Sequence, residues 1–305
     1  MMNIGKLKTL IFFSVLFFIF SFWSSACGNA FKENKNNNSS QTSIKIITSF
    51  YPIYIMVLNI AKDIPNVSVE NLAAEYSGCP HDFQLTTESM RKLSTAQILV
   101  INGLGLETFL EPAIKGFPEL KIIDSSKNFT DRDSEINNPH IWTSITGAIE
   151  QTKSIADQLG ALDPIRADAY KANSILYIQK LEALKTKMHS EIDSLPDRKI
   201  VTFHDAFYWF AKEFSLEVIA VVRKEPEEEP SAEEVASLIQ TIRKKNVHNI
   251  FIEPQFPART AETIMRETEA DIFMLDPVEN GQDNPDAYLE IMNKNLEVLK
   301  KALAK

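Results

Sequence analysis

Eight short runs rich in Ile and Val alternate with longer amphipathic stretches along residues 44–305. The runs are predicted to be β-strands, and stretches such as Glu88–Leu93, Ala148–Leu159 and Ala232–Lys244 are predicted to be helices. This alternation is typical of parallel sheets covered by helices on both faces. The predicted strands are Ile44–Ile47, Val67–Leu72, Ile98–Ile101, Lys121–Ile123, Lys199–Phe203, Glu217–Val221, Asn249–Ile252 and Ile272–Leu275.

One stretch, 163–195, is much longer than the others. Asp163 is a good N-cap, Pro164 suits a first helical turn, and nothing interrupts the pattern before Pro196. At 1.5 Å per residue, this predicted helix is roughly 48 Å long. A helix of that length spans more than one lobe.

The long helix divides the predicted strands four and four. We therefore expect an α/β protein of two lobes, 44–162 and 196–305, each with a mostly four-stranded parallel sheet flanked by helices. The helix 163–195 would join them as a rigid backbone, with a ligand site in the cleft between the lobes. Gly160 is predicted to be a left-handed C-cap, and Ser231-Ala232-Glu233-Glu234 to contain a capping box.

Residues 1–26 have the pattern of a secretory signal. Lys6 and Lys8 precede the apolar stretch Thr9–Trp23, and three small residues follow at 24–26. The stretch is shorter than the roughly 20 apolar residues of a transmembrane helix. We therefore expect the protein to be exported.

Cys27 directly follows these small residues, as in a bacterial lipobox, although Ser24 stands where that motif usually has Leu. Ordinary signal cleavage, giving a periplasmic protein, is the alternative. Residues 28–43 are polar and rich in Asn and Ser. The stretch 27–43 therefore suits a linker between a lipid on Cys27 and a folded body. The only other cysteine is Cys79, so an acylated Cys27 leaves no partner for an internal disulfide.

The chain has a formal charge of −9. Nucleic acids and anionic membrane surfaces are bound through clustered Lys and Arg. An acidic chain is poorly suited to either, so nucleic acid is not expected among its partners.

Four polar residues lie in or near loops between the predicted elements. His81 and His140 each follow a proline, and His204 and Asp276 each come just after a strand. Ligands of open α/β sheets gather at the carboxyl ends of strands, so these residues would meet in the cleft. Three imidazoles and a carboxylate suit Zn²⁺ and, less specifically, Mn²⁺.

The alternative is that each histidine is an ordinary loop or capping residue, since the spacing of the candidates is not specific. His189, within the long helix, and His248, beside a Lys-rich turn, are both interpreted in that way.

Short motifs along the chain resemble those of the TroA/ZnuA-like family, the zinc- and manganese-binding solute-receptor lipoproteins of bacterial ABC importers. The motifs are Phe50-Tyr51-Pro52, Pro80-His81, Asn102-Gly103-Leu104-Gly105-Leu106-Glu107, Asn138-Pro139-His140-Ile141-Trp142, Phe203-His204-Asp205-Ala206-Phe207, Glu229-Pro230-Ser231 and Ile252-Glu253-Pro254-Gln255. The similar features run from about Ile44 to the C-terminus.

The resemblance implies that His81, His140 and His204 bind the metal, with Asp276 or water in the fourth position. Manganese-preferring members tend to have Glu in place of His204, so zinc is favoured as the transported ion and manganese stays possible. The implied partners are a membrane permease and its cytoplasmic ATPase, with the receptor a monomer held to the membrane by its lipid.

The chain departs from the family in three places. The stretch Asp124–Asn138 has no histidine, although many zinc receptors have a His-rich loop there. Cys79, two residues before His81, is interpreted as an inert buried thiol, with a soft ligand or a redox-sensitive neighbour as the alternatives. Four carboxylates lie in the loop Lys224–Pro230, which either attracts cations or is simply solvated.

Other functions stay open. A manganese or iron receptor would share the fold. A zinc hydrolase needs an open coordination position, which Asp276 would close, so the chain is not expected to be an enzyme. A surface adhesin is neither supported nor excluded by the sequence.

Overall fold

Two parallel four-stranded sheets carry the two halves of the chain. The structure, a computed structural model, describes residues 43–76, 78, 80–129, 138–223, 229–257 and 259–304. These residues fall in one compact unit, Ser43–Lys305. The predicted signal 1–26, Cys27, Cys79 and nearly all of the predicted linker 27–43 lie outside the described residues.

The first lobe contains β1 (Ile44–Thr48), α1 (Tyr51–Ile60), β2 (Val67–Asn71), α2 (Thr87–Thr95), β3 (Ile98–Ile101), α3 (Glu111–Ile114) and β4 (Lys121–Asp124). Two helices follow, α4 (Ile145–Leu162) and α5 (Ala167–Ile192). The second lobe contains β5 (Lys199–Thr202), α6 (Tyr208–Glu213), β6 (Glu217–Val221), α7 (Ala232–Lys245), β7 (Asn249–Ile252), α8 (Arg259–Arg266), β8 (Asp271–Met274) and α9 (Ala287–Leu303).

The two sheets have the same topology, with strand orders β2-β1-β3-β4 and β6-β5-β7-β8. Every neighbouring pair is parallel. In each sheet the strand order reverses beside the first strand, which opens a crevice at the carboxyl ends. The predicted two-lobed α/β fold is confirmed, and the strand ends differ from the predicted ones by at most one residue.

Helix α1 is an interior helix. All but one of its ten residues are buried, as expected for a helix that is apolar on every side. It contacts β1, β2, α4 and α5, and also α9 near the C-terminus. The motif Phe50-Tyr51-Pro52 starts this helix, with Phe50 as N-cap and Pro52 in the first turn.

Helix α5 is shorter than predicted, 26 residues rather than the stretch 163–195. Its buried residues recur every three or four positions and form one continuous stripe against α1, α4 and α9. They are Tyr170, Ser174, Tyr177, Leu181, Leu184, Met188 and Ile192. The helix thus packs on elements of both halves, while the domain limits proposed from the sequence stay a prediction.

The turn before α5 explains the shortening. Asp163 closes α4, because its N–H donates to the Leu159 carbonyl. Its carboxylate is buried and accepts bonds from Arg166 Nη1 and the Tyr170 hydroxyl, both at 2.9 Å. The prediction of Asp163 as an N-cap was therefore wrong, since its side chain turns to a buried cation instead of the first turn of α5.

Two smaller predictions have opposite outcomes. Gly160 was predicted to be a C-cap, but it lies inside α4, where an added Cβ would come 3.4 Å from the Ala167 side chain. Such a Cβ would make ordinary van der Waals contact, so neither a left-handed turn nor close packing requires glycine there. The capping box is confirmed, with Ser231 and Glu234 each accepting the other's backbone N–H.

Among the described residues, no helix is long and apolar enough to cross a bilayer.

Asp163→Ala should lower the free energy of unfolding by about 3 kcal/mol, because it leaves the Arg166 charge buried without its carboxylate. Chemical denaturation of the metal-free protein measures the change. Asp168→Ala, at the exposed start of α5, is the matched control and should change stability little. Equal stabilities of the two variants would contradict the structural role of the buried pair.

Candidate metal centre

Three of the four predicted site residues come together in the structure. His81, His140 and His204 each offer one ring nitrogen, and these nitrogens lie within 4.8 Å of one another. The cluster is the only such group of His, Cys, Asp and Glu found among the described residues. Each histidine lies within or directly before a one-turn 3₁₀ helix: Pro80–Asp82, Ile141–Thr143 and Asp205–Phe207.

Sheet topology explains why these turns meet. His204 follows the end of β5, beside the strand-order reversal in the second sheet. His81 and His140 lie in the connections that follow β2 and β4. All three strands point their carboxyl ends at the cleft, so their following loops converge there.

The spacing of the ring nitrogens suits zinc. The Nε2 atoms of His81 and His140 are 3.3 Å apart. Two ligands of a tetrahedral zinc, each bound at 2.0–2.1 Å, are separated by about 3.3 Å. The His204 ring centroid lies 5.1 Å from that of His140 and 5.9 Å from that of His81. The three rings therefore surround a space the size of one ion.

Burial keeps two of the rings neutral. His140 and His204 are 2% and 3% exposed. Burial, followed by the nearby charges of His204 and His81, lowers the pKa of His140 well below its usual value. Burial, followed by His81 and Arg223, lowers the pKa of His204 to about 4. Neutral imidazole is the form that binds metal, so both rings are in the ligand form at pH 7 without any metal.

Asp276 lies outside the cluster of three. It follows β8 as predicted, and its carboxylate accepts the Val278 N–H at 2.8 Å. Together with Gln255 and Glu279 it lines a cavity of about 300 Å³. Its assignment as fourth ligand stays a prediction.

Two buried carboxyls of the second lobe, Glu253 and Glu279, were not assigned a role from the sequence. Glu253 accepts the His204 N–H at 3.3 Å, and Glu279 accepts an N–H from the Gln255 side chain at 2.7 Å. Burial raises the pKa of Glu253 to about 8 and, with help from the Glu253 charge, raises that of Glu279 well above its usual value. The position of Glu253 directly after β7 was the available signal, because it matches that of His204 after β5.

The two remaining histidines are not part of the cluster. His189 is on α5, where its ring contacts the Asp193 carboxylate at 2.9 Å. His248 precedes β7, at the amino edge of the second sheet, and contacts the Asn246 side chain. Both positions agree with their interpretation as ordinary structural residues.

The model of the zinc-uptake complex component A periplasmic (ZnuA) family matches residues 46–302. The chain belongs to the ZnuA family. Its relatives include the high-affinity zinc uptake system protein ZnuA of Bacillus subtilis (strain 168), 29% identical over 301 residues that cover 92% of this chain and 93% of that protein.

Solved structures of similar proteins have the same fold. The solute-binding protein FpvC of Pseudomonas aeruginosa, solved with Ni²⁺, superposes with a TM-score of 0.78 and 30% identity over 86% of this chain and 97% of that one. The laminin-binding protein Lmb of Streptococcus agalactiae, described as having adhesin and metal-transporting activity, has a TM-score of 0.77 and 27% identity over 86% of this chain and all of that one.

The motif at 102–107 supports the His140 loop in this ZnuA family member. Asn102 Nδ2 donates to the Pro139 carbonyl at 2.9 Å, directly before His140. The backbone at Gly103 has φ of +89°, and an added Cβ would clash with the Asp124 carboxylate. Only glycine fits such a backbone and such an approach.

Glu107 fixes the shape of this motif from inside the protein. One carboxylate oxygen accepts from the Ser49 hydroxyl at 2.7 Å and the Asn102 N–H at 2.6 Å. The other accepts from the Gly103 N–H at 3.1 Å. Burial raises the pKa of Glu107 to about 7, while these three bonds act in the opposite direction.

Glu107→Gln should destabilise the metal-free protein by about 1–3 kcal/mol. The NH₂ group of glutamine cannot accept the hydrogen bond that a carboxylate oxygen of Glu107 accepts, so a buried donor loses its partner. Urea denaturation measures the loss. Glu111→Gln, at an exposed position nearby, should leave stability almost unchanged. If both variants are as stable as the wild type, the carboxylate does not organise this loop.

Proposed function

We propose that this chain is an exported receptor that binds one zinc ion in the cleft and delivers it to an ABC-type permease. The convergence of His81, His140 and His204 within 4.8 Å carries the proposal. Membership of a zinc-uptake family supports the delivery step, which makes the ion a transported substrate rather than a resident cofactor.

Ligand chemistry favours zinc over manganese. Three imidazole nitrogens suit zinc, whereas manganese prefers oxygen ligands. The 3.3 Å separation of the His81 and His140 Nε2 atoms also agrees with a tetrahedral zinc site. A manganese or iron receptor of the same fold is the nearest alternative.

Asp276 is proposed as the fourth ligand. A carboxylate there closes the coordination shell and leaves no position for a catalytic water, which supports a receptor rather than an enzyme. The charges of Glu253 and Asp276 act on the buried Glu279 carboxyl, and buried carboxyls such as Glu253 and Glu279 lose their protons more readily once a cation is near.

The proposed partners are the permease of an ABC importer and its cytoplasmic ATPase. The receptor is proposed to be a monomer, anchored to the outer face of the bacterial cytoplasmic membrane through a lipid on Cys27. Cleavage without lipidation would give a periplasmic protein instead.

Chelator-stripped protein should bind one zinc per chain and prefer it to manganese, as measured by metal analysis and competition with a chromophoric chelator. His204→Ala should weaken zinc binding more than about 100-fold, since loss of only the hydrogen-bond partner of a metal ligand costs about 10–100-fold. Zinc at 100 times its Kd should also stabilise the wild type by about 2.7 kcal/mol.

His248→Ala is the matched control. His248 lies at the amino ends of the strands of the second sheet, whereas His204 lies at their carboxyl ends. It should bind zinc like the wild type. Preference for manganese would change the substrate and keep the receptor, whereas absence of tight binding of any divalent metal would refute the proposed site.

Asp276→Asn tests the fourth ligand. An amide is a weaker ligand than a carboxylate, so zinc affinity should fall at least about tenfold. The control is Asp271→Asn, an exposed residue at the start of β8. Unchanged affinity in Asp276→Asn would show that water, not Asp276, completes the shell.

A further inference from the structure

Asn138 lies two residues before His140 and bonds directly to it. Its side-chain oxygen Oδ1 accepts the His140 backbone N–H at 2.9 Å. The same oxygen lies 3.0 Å from Nδ1 of the His140 ring. Both contacts are buried, since Asn138 is 4% exposed and His140 2%.

The opposite end of the amide fixes its orientation. Asn138 Nδ2 donates to the backbone carbonyl of Asp205 at 2.7 Å and to its carboxylate at 2.9 Å. A carbonyl can only accept and a backbone N–H can only donate, so the amide fits in one orientation. Oδ1 must therefore face the His140 ring.

An acceptor facing Nδ1 sets the tautomer of His140. Because Oδ1 has no proton to give, Nδ1 must carry the hydrogen of the neutral ring. The lone pair is then on Nε2, the atom that lies 3.3 Å from His81 Nε2. This is the tautomer that a metal ligand at Nε2 requires.

Asn138 is itself held from the second lobe. Trp209 Nε1 donates to the Asn138 carbonyl at 2.9 Å. Asp205, which accepts from the Asn138 amide, directly follows His204. The amide therefore ties the direction of the His140 ring to the segment that carries another histidine of the cluster.

We propose that Asn138 is a positioning residue, which sets the tautomer and direction of His140 and thereby raises zinc affinity without touching the metal. The inference rests on the proposed function, because it assumes that His140 binds zinc through Nε2.

The first test reads the tautomer in the metal-free protein. Long-range ¹H–¹⁵N spectra should show His140 protonated at Nδ1 in the wild type. In Asn138→Leu, which has a similar size and no acceptor, the Nε2–H form should become populated. A His140 ring protonated at Nε2 in the wild type would overturn the inference.

The second test measures zinc affinity. Asn138→Leu should weaken binding about 10–100-fold, as is typical when the partner of a metal-binding histidine is removed. Asn138→Asp keeps an acceptor beside Nδ1 but sets a carboxylate against Asp205. The Asn138→Asp variant should therefore be less stable than the wild type. Its zinc affinity should nevertheless regain most of what Asn138→Leu loses.

Asn59→Leu is the matched control for loss of a buried amide. Asn59 also joins the two halves of the chain, through a bond to the Pro285 carbonyl, and touches none of the three histidines. It should lower the melting temperature and leave the Kd for zinc unchanged.

The possible failures are distinguishable. If the wild type binds no zinc, the proposed function fails, and the tautomer of metal-free His140 still tests Asn138. If the wild type binds zinc and both Asn138 variants bind it as tightly as the wild type does, the positioning role is refuted. It is also refuted if both variants lose zinc affinity in proportion to their loss of stability.

Discussion

The segment 138–146, which carries His140, depends on hydrogen bonds to the second lobe. Trp142, fully buried, donates its indole N–H to the Pro277 carbonyl at 2.7 Å. The carboxylate of Glu213 accepts the Thr146 N–H, one of the otherwise unsatisfied donors at the start of α4. Because these groups are buried or half-buried, breaking the contacts would leave polar atoms without partners. The position of His140 is therefore fixed by both halves of the chain.

This arrangement gives the three histidines different surroundings. His140 and His204 are buried and joined through Asn138 and Asp205, whereas His81 is exposed on a separate turn of the first lobe. Two ring nitrogens are therefore held in place by the fold itself. Fixing ligand direction before the ion arrives reduces the ordering cost of binding, which is the general source of high affinity in preorganised sites.

The sequence was sufficient for the sheets because each strand is a short apolar run whose periodicity differs from that of the helices around it. It was misleading around Asp163, where a good N-cap residue forms a buried ion pair with Arg166 instead. It also left Asn138 and Glu253 without a role. Their importance depends on partners more than forty residues away, which no local pattern reveals.

Burial has opposite effects on the two kinds of titratable group in the cleft. It lowers the pKa of His140 and His204 and raises that of Glu253 and Glu279. All four groups are thereby shifted towards their neutral forms, since the charged form of each is penalised by desolvation. Neutral imidazoles are ready to bind a metal, whereas neutral carboxyls are weak ligands. The metal-free cleft therefore holds two uncharged imidazole ligands, and imidazole nitrogen suits zinc better than manganese, which prefers oxygen.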